Sequence, residues 1–227
     1  MAFVVLLLAA ACSSPVGLTP AQKAALPGDH ISVIGDSYTV GPDDNPEDPD
    51  AWPATVFKRL RDEKYEIQDV VAGEGGSGYV QPGHRGGVFG DKVPSVQATS
   101  DLVVIFGGAN DLGTDPERER KAVRDTFERV RRAAPKAHLL IVGPAWPRDD
   151  VPPEVFGVRD IVREEAARAG AKFVDPLAER WLWADANLIG PDWIHPNRAG
   201  QQYLAQKMLP LIQAELPPPR KAISPPA

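Results

Sequence analysis

Five short apolar runs punctuate the chain, and stretches with helical periodicity separate and follow them. The runs fall at residues 30–35, 65–71, 101–106, 138–142 and 172–174. In the first, Ile31, Val33 and Ile34 are β-branched and apolar, which suits a strand covered on both faces. The third, from Asp101 to Phe106, is strongly apolar and reads the same way.

Helices are predicted over 51–63, 116–134 and 154–169 and from about Asn197 onward. The first has Val56, Phe57 and Leu60 on one face, with Asp50 placed to cap it and Pro53 in its first turn. The second places Ala122, Val123, Phe127 and Val130 on its buried side. The last carries Ala199, Tyr203, Leu204 and Met208, and Pro210 is expected to kink or end it.

Strand–helix alternation of this kind predicts the α/β class: a three-layer α/β/α sandwich around a mostly parallel, five-stranded sheet. Right-handed crossovers bring the loops at the strand carboxyl ends to one edge, where open sheets hold their ligands. Those loops contain Ser37, Gly78, Asn110 and Trp146. One domain over residues 29–216 accommodates all of these elements.

The ends read differently. Residues 2–11 are apolar but too short to span a bilayer, which takes about 20 helical residues. They end in Ala9-Ala10-Ala11 directly before Cys12, the single cysteine. This resembles a bacterial lipoprotein signal, although no Lys or Arg precedes the apolar core. The expectation is a signal peptide over 1–11, lipidation at Cys12, a tether over 12–28 and a location facing the cell envelope, anchored to the membrane. Cleavage without lipidation and secretion is the alternative. Residues 217–227 are proline-rich and are expected to be disordered. A formal net charge of −6 argues against nucleic acid as the partner.

Three stretches carry candidate chemistry. Gly35-Asp36-Ser37 places a serine at the end of the first strand, with Gly35 allowing a sharp reversal. A serine needs a base before it becomes a nucleophile. Asp192-Trp193-Ile194-His195 supplies one, since on a helical turn an acid three residues before an imidazole shares its side. That carboxylate can then hold the tautomer whose other nitrogen is basic. Donors for an oxyanion are available from the Ser37 N–H, the Gly78 N–H and the Asn110 amide. Read as structure alone, Ser37 is a helix cap, Asp192 and His195 a surface pair, and Asp111 a cap for the next helix.

Gly35-Asp36-Ser37, the Gly78 loop, Gly108-Ala109-Asn110-Asp111 and Asp192-Trp193-Ile194-His195 resemble, in order, the four blocks of the SGNH (GDSL-type) hydrolases. The resemblance spans about residues 30–214. It implies a flavodoxin-like sheet, Ser37 as nucleophile, His195 as base, Asp192 as its orienter, and an oxyanion hole of Ser37, Gly78 and Asn110. It also implies no metal or other cofactor. Tyr38 stands where the first block has leucine. The asparagine that commonly opens the second block is absent, which leaves Gly76 as the neighbouring choice to Gly78.

The expected activity is hydrolysis of acyl esters through an acyl-enzyme, on envelope glycans, lipids or small esters. Transfer of the acyl group to a sugar hydroxyl, or a non-catalytic glycan-binding lipoprotein, are the alternatives. Among the tryptophans, Trp146 is the candidate for substrate contact, because its loop leaves a strand at the active edge. Gly75-Gly76-Ser77-Gly78 lacks the Gly-Lys-Ser/Thr ending of a phosphate loop. The acidic loop 43–50 is broken by proline and fits no calcium loop.

Overall fold

The computed structural model describes Gln22 and residues 25–41, 43–183 and 185–219. The expected signal peptide, Cys12, most of the tether and most of the tail lie outside these residues.

Strands β1 (Asp29–Gly35), β2 (Ile67–Gly73), β3 (Leu102–Phe106), β4 (His138–Val142) and β5 (Lys172–Val174) form one sheet. Its order is β2-β1-β3-β4-β5, and every pairing is parallel. Parallel neighbours need crossovers, and these supply helices for both faces. The helices are α1 (Ser37–Val40), α2 (Trp52–Asp62), α3 (Phe89–Lys92), α4 (Pro116–Ala133), α5 (Pro153–Arg168) and α6 (Arg198–Gln213).

Strand periodicity divides the core in two. Leu102, Val104 and Phe106 of β3 face one layer, where Val56, Phe57 and Leu60 of α2 meet Leu204, Met208 and Ile212 of α6. Val103 and Ile105 face the other, against Val123, Phe127 and Val130 of α4 and Val158 and Val162 of α5. The apolar stripes of α2 and α4 foreseen from the sequence are therefore what each layer buries.

The sheet order decides where a site can form. From β1 the chain crosses to β2 on one side and then to β3 on the other. The loops after β1 and β3 diverge at this switch point, and a crevice opens between them. Ser37 follows β1 and Asn110 follows β3.

Several local expectations change. Ala51 is the N-cap of α2 and makes no side-chain cap, because Asp50 instead accepts from Arg198 at 2.7 Å. Strand β2 starts at Ile67 rather than 65, since the Tyr65 N–H closes the end of α2 on the Leu60 carbonyl. Helix α6 runs through Pro210. Pro210 lies on the exposed side and its carbonyl still accepts from Ala214, while Met208 and Ile212 stay buried around it. The glycine-rich loop after β2 leads into the short helix α3.

Candidate active site

The serine turn is tighter than a flexible reversal. Gly35 stays within β1, and a Cβ there would run into the Thr39 side chain and the Phe106 carbonyl. Glycine is needed for close approach, so the expected role in reversing the chain is corrected. Asp36 caps α1, its Oδ1 accepting the Tyr38 N–H at 2.9 Å. Ser37 is thereby relieved of capping and is free to point elsewhere. Buried Gln201 of α6 braces the turn, accepting from the Trp52 N–H at 2.9 Å and donating to the Tyr38 carbonyl at 3.2 Å.

Asp192 and His195 sit at the tip of a small hairpin, not on a helical turn. Ile189 bridges Pro196 in antiparallel fashion, and Gly190 donates to the His195 carbonyl at 2.7 Å. Asp192 Oδ1 accepts the N–H groups of Ile194 and His195, both at 3.0 Å. Its Oδ2 lies 2.6 Å from His195 Nδ1. Spacing of three residues still brings the pair together, but through capture of two backbone donors by the carboxylate. The turn forces Trp193 to φ +59°, a conformation a bulky residue rarely adopts.

The hairpin is pinned to the serine turn. Tyr38 Oη donates to the Ile194 carbonyl at 2.6 Å, and the Tyr38 ring meets the His195 ring edge-on at 6.3 Å. His195 Nε2 then lies 3.0 Å from Ser37 Oγ. Hydrogen bonding to His195, above all, holds the Asp192 carboxyl down at about 2, so it is ionised at neutral pH and can support an imidazolium.

A cleft of about 310 Å³ opens over Ser37 and His195, with Asn110, Trp146, Leu112 and Ile194 on its walls. Phe106 and Ala145 add apolar surface. The Asn110 amide donates to the Ser77 carbonyl at 2.9 Å and stands 3.4 Å from Asp36 Oδ2.

Gly78 does not fit the role expected of it. Its N–H is given to the Gln81 carbonyl at 2.8 Å, and a Cβ on it would collide with the Asp111 carboxylate. It is a packing glycine. In the same loop Gly76, half-buried at φ +75°, has an N–H without a backbone partner among the described residues.

Asp111 does more than cap. It is fully buried and accepts the N–H groups of Tyr79, Val80 and Gln81 at 2.7, 2.9 and 2.8 Å. Three donors bind the loop after β2 to the residue beside Asn110. Glu74 closes the far end of that loop, accepting from the N–H groups of Arg85 and Gly87 and pairing with Lys92. Sequence patterns contain no sign of either contact, because each joins segments far apart in the chain. Among the described residues no group of His, Cys, Asp and Glu is placed to hold a metal.

A base poised to draw a proton from a hydroxyl, beside an open apolar cleft, is machinery for acyl transfer. A matching family model and a 45% identical relative make the protein an ester hydrolase. It belongs to the GDSL-like Lipase/Acylhydrolase family, whose model matches residues 33–203. GDSL lipase Rv0518 of Mycobacterium tuberculosis is 45% identical over 190 residues, covering 82% of each chain. Among solved structures, TesA matches with a TM-score of 0.68 at 23% identity, over 83% of this chain and all (100%) of that one. The psychrotrophic esterase EstA from Pseudoalteromonas sp. matches at 0.65 and 16%, over 82% and 97%. A family two carbohydrate esterase from Clostridium thermocellum, in complex with cellohexaose, matches at 0.64 and 20%, over 82% and 64%. At these identities the solved structures speak to the fold alone.

Proposed function

We propose that this ester hydrolase works through an acyl-enzyme on Ser37. The observation that carries the reading is the unbroken run Asp192–His195–Ser37, with contacts of 2.6 and 3.0 Å. His195 Nε2 takes the Ser37 hydroxyl proton as Oγ bonds to the ester carbonyl carbon. Negative charge develops on the carbonyl oxygen; in this reading its donors are the Ser37 N–H, the Gly76 N–H in place of that of Gly78, and the Asn110 amide, which turns its longer 3.4 Å contact with Asp36 over to the substrate. Collapse breaks the bond to the alkoxide, which leaves with the proton from His195. Water, deprotonated by His195, then releases the acid and restores Ser37.

The substrates in this reading are acyl esters of glycans, lipids or small alcohols. Phe106, Ala145, Trp146 and Leu112 give the cleft an apolar wall for the acyl group. A lipid anchor on Cys12 would hold the enzyme at the membrane, facing the cell envelope. Mass spectrometry of the mature N-terminus tests the anchor, and an unmodified Cys12 removes it. A fluorophosphonate probe tests the chemistry: wild type is labelled and Ser37→Ala is not. An unlabelled wild type that hydrolyses no p-nitrophenyl ester would favour the non-catalytic glycan-binding alternative.

A further inference from the structure

The residue at the tip of the hairpin has no place in the proton relay. Trp193 is 59% exposed although large and apolar, and it is held in a left-handed backbone conformation. The turn explains the backbone conformation but not the choice of an indole there, beside Ile194, which is itself 54% exposed. The other four tryptophans differ: Trp52 and Trp181 are buried in the core, Trp146 lines the cleft, and Trp183 is half-buried with the Arg180 guanidinium over its ring.

Trp193 faces a second hollow of about 230 Å³, shared with Ile189, Arg148, Asp149 and Asp185. The same two loops build both spaces. After β4, Trp146 lines the cleft and Pro147 and Arg148 line the hollow. In the hairpin, Ile194 and His195 line the cleft and Trp193 lines the hollow. The two spaces thus lie side by side along the same two loops, with Trp193 and Pro147 each next in sequence to a residue that lines the cleft.

Its chemistry is mixed. Arg148 is held in place by Asp150, with contacts of 2.7 and 2.8 Å. Asp185 Oδ1 accepts from Asn187. Among the described residues, Asp149 and the second oxygen of Asp185 have no hydrogen-bond partner. An aromatic face with a negative quadrupole meets the C–H face of a pyranose ring, and carboxylates accept from ring hydroxyls. An acyl chain in the same place would strip water from three charged groups and return no hydrogen bonds.

We infer that the hollow beneath Trp193 is a subsite for the alcohol portion of the ester, and that this portion is a sugar ring. Trp193 stacks on the ring while Asp149 and Asp185 take its hydroxyls. This assignment rests on the acyl-enzyme reading for the bond that is cleaved, but not for the binding of the ring.

Two measurements on the full chain test it. The first compares kcat/KM for methyl 6-O-acetyl-glucopyranoside with that for ethyl acetate, which has the same acyl group and an alcohol too short to reach Trp193. Trp193→Gly suits the left-handed backbone and preserves the turn. It is expected to lower the sugar-to-ethyl ratio about tenfold, and Trp193→Tyr to restore most of it. A ratio unchanged in Trp193→Gly overturns the subsite.

The second uses Ser37→Ala, which cannot turn over, and reads saturation transfer from the protein to the ring protons of the same acetylated glucoside. Transfer is expected, and its loss on adding Trp193→Gly supports the subsite. No transfer, or transfer indifferent to Trp193, overturns it. If transfer depends on Trp193 while wild type cleaves neither ester, the subsite stands and the acyl-enzyme falls.

Discussion

Asp192 and Asp36 both stand close to the Ser37–His195 pair, one in the hairpin at the surface and one in the interior at the end of β1. The Asp192 side chain is 47% exposed and accepts from two N–H groups and the imidazole, which hold its carboxyl at about 2. Asp36 is 4% exposed, and burial pushes it up to about 7 despite the Tyr38 N–H and the nearby His195. Behind it, burial raises Asp111 as well, and Glu119 on α4 reaches about 8. A carboxylate's task thus follows from the donors and water around it, not from its residue type. The outer one stays charged and can steady a cation; burial raises the inner ones, which hold loops together.

Breaking the outer relay is expected to have the largest effect. Ser37→Ala and His195→Ala should each lower kcat for p-nitrophenyl acetate by about 10⁴–10⁶, with an unchanged circular dichroism spectrum. Activity equal to wild type in either variant ends the relay.

The two aspartates can then be set against each other. Asp192→Asn should cost about 10²–10⁴ in kcat, because the amide favours the wrong tautomer of His195. Asp36→Asn resembles the protonated acid, keeps an oxygen for the Tyr38 N–H, and should cost less than about tenfold. Equal losses in the two variants would erase the contrast.

Asp111→Ala sharpens the interior half. It strands the N–H groups of Tyr79, Val80 and Gln81, and should lower the unfolding free energy in urea by about 2–4 kcal/mol. Because the loop after β2 also receives the Asn110 amide, kcat should fall with it.

The smallest effect is on pH dependence. Asp36 and Glu119 bind protons more tightly folded than unfolded, so the native state holds the extra protons between about pH 4 and 8. Stability from these groups is fully present below that window and falls as pH rises through it. Asp192 acts in the opposite sense below about pH 4, weakly because it is half exposed. Melting temperatures from pH 5 to 8.5 should decline, and Glu119→Gln should flatten the upper part. A profile identical in Glu119→Gln and wild type would take Glu119 out of the interior set.

Much of the fold is legible in the sequence. Strands β4 and β5 match their apolar runs residue for residue, and α4 and α5 differ by one position at their ends. Ser37, Asp192 and His195 were readable as residue types at suggestive places. Gly78 was misread, because glycine marks a loop without saying where its N–H points. Tyr38 looked like a simple departure from leucine, and its bond to the Ile194 carbonyl spans 156 residues.

Hydrophobic periodicity and glycine placement by themselves determined the α/β class, the element order and the residues offered for chemistry. Periodicity is a local record of which side of each segment is buried, so it survives in one dimension. Only the tertiary structure decided that the Asp192–His195 pair forms in a hairpin, which loop N–H groups are already taken, and which carboxyls keep their protons. Those outcomes depend on desolvation and on partners brought from distant parts of the chain, and no short window of sequence contains both members of such a pair.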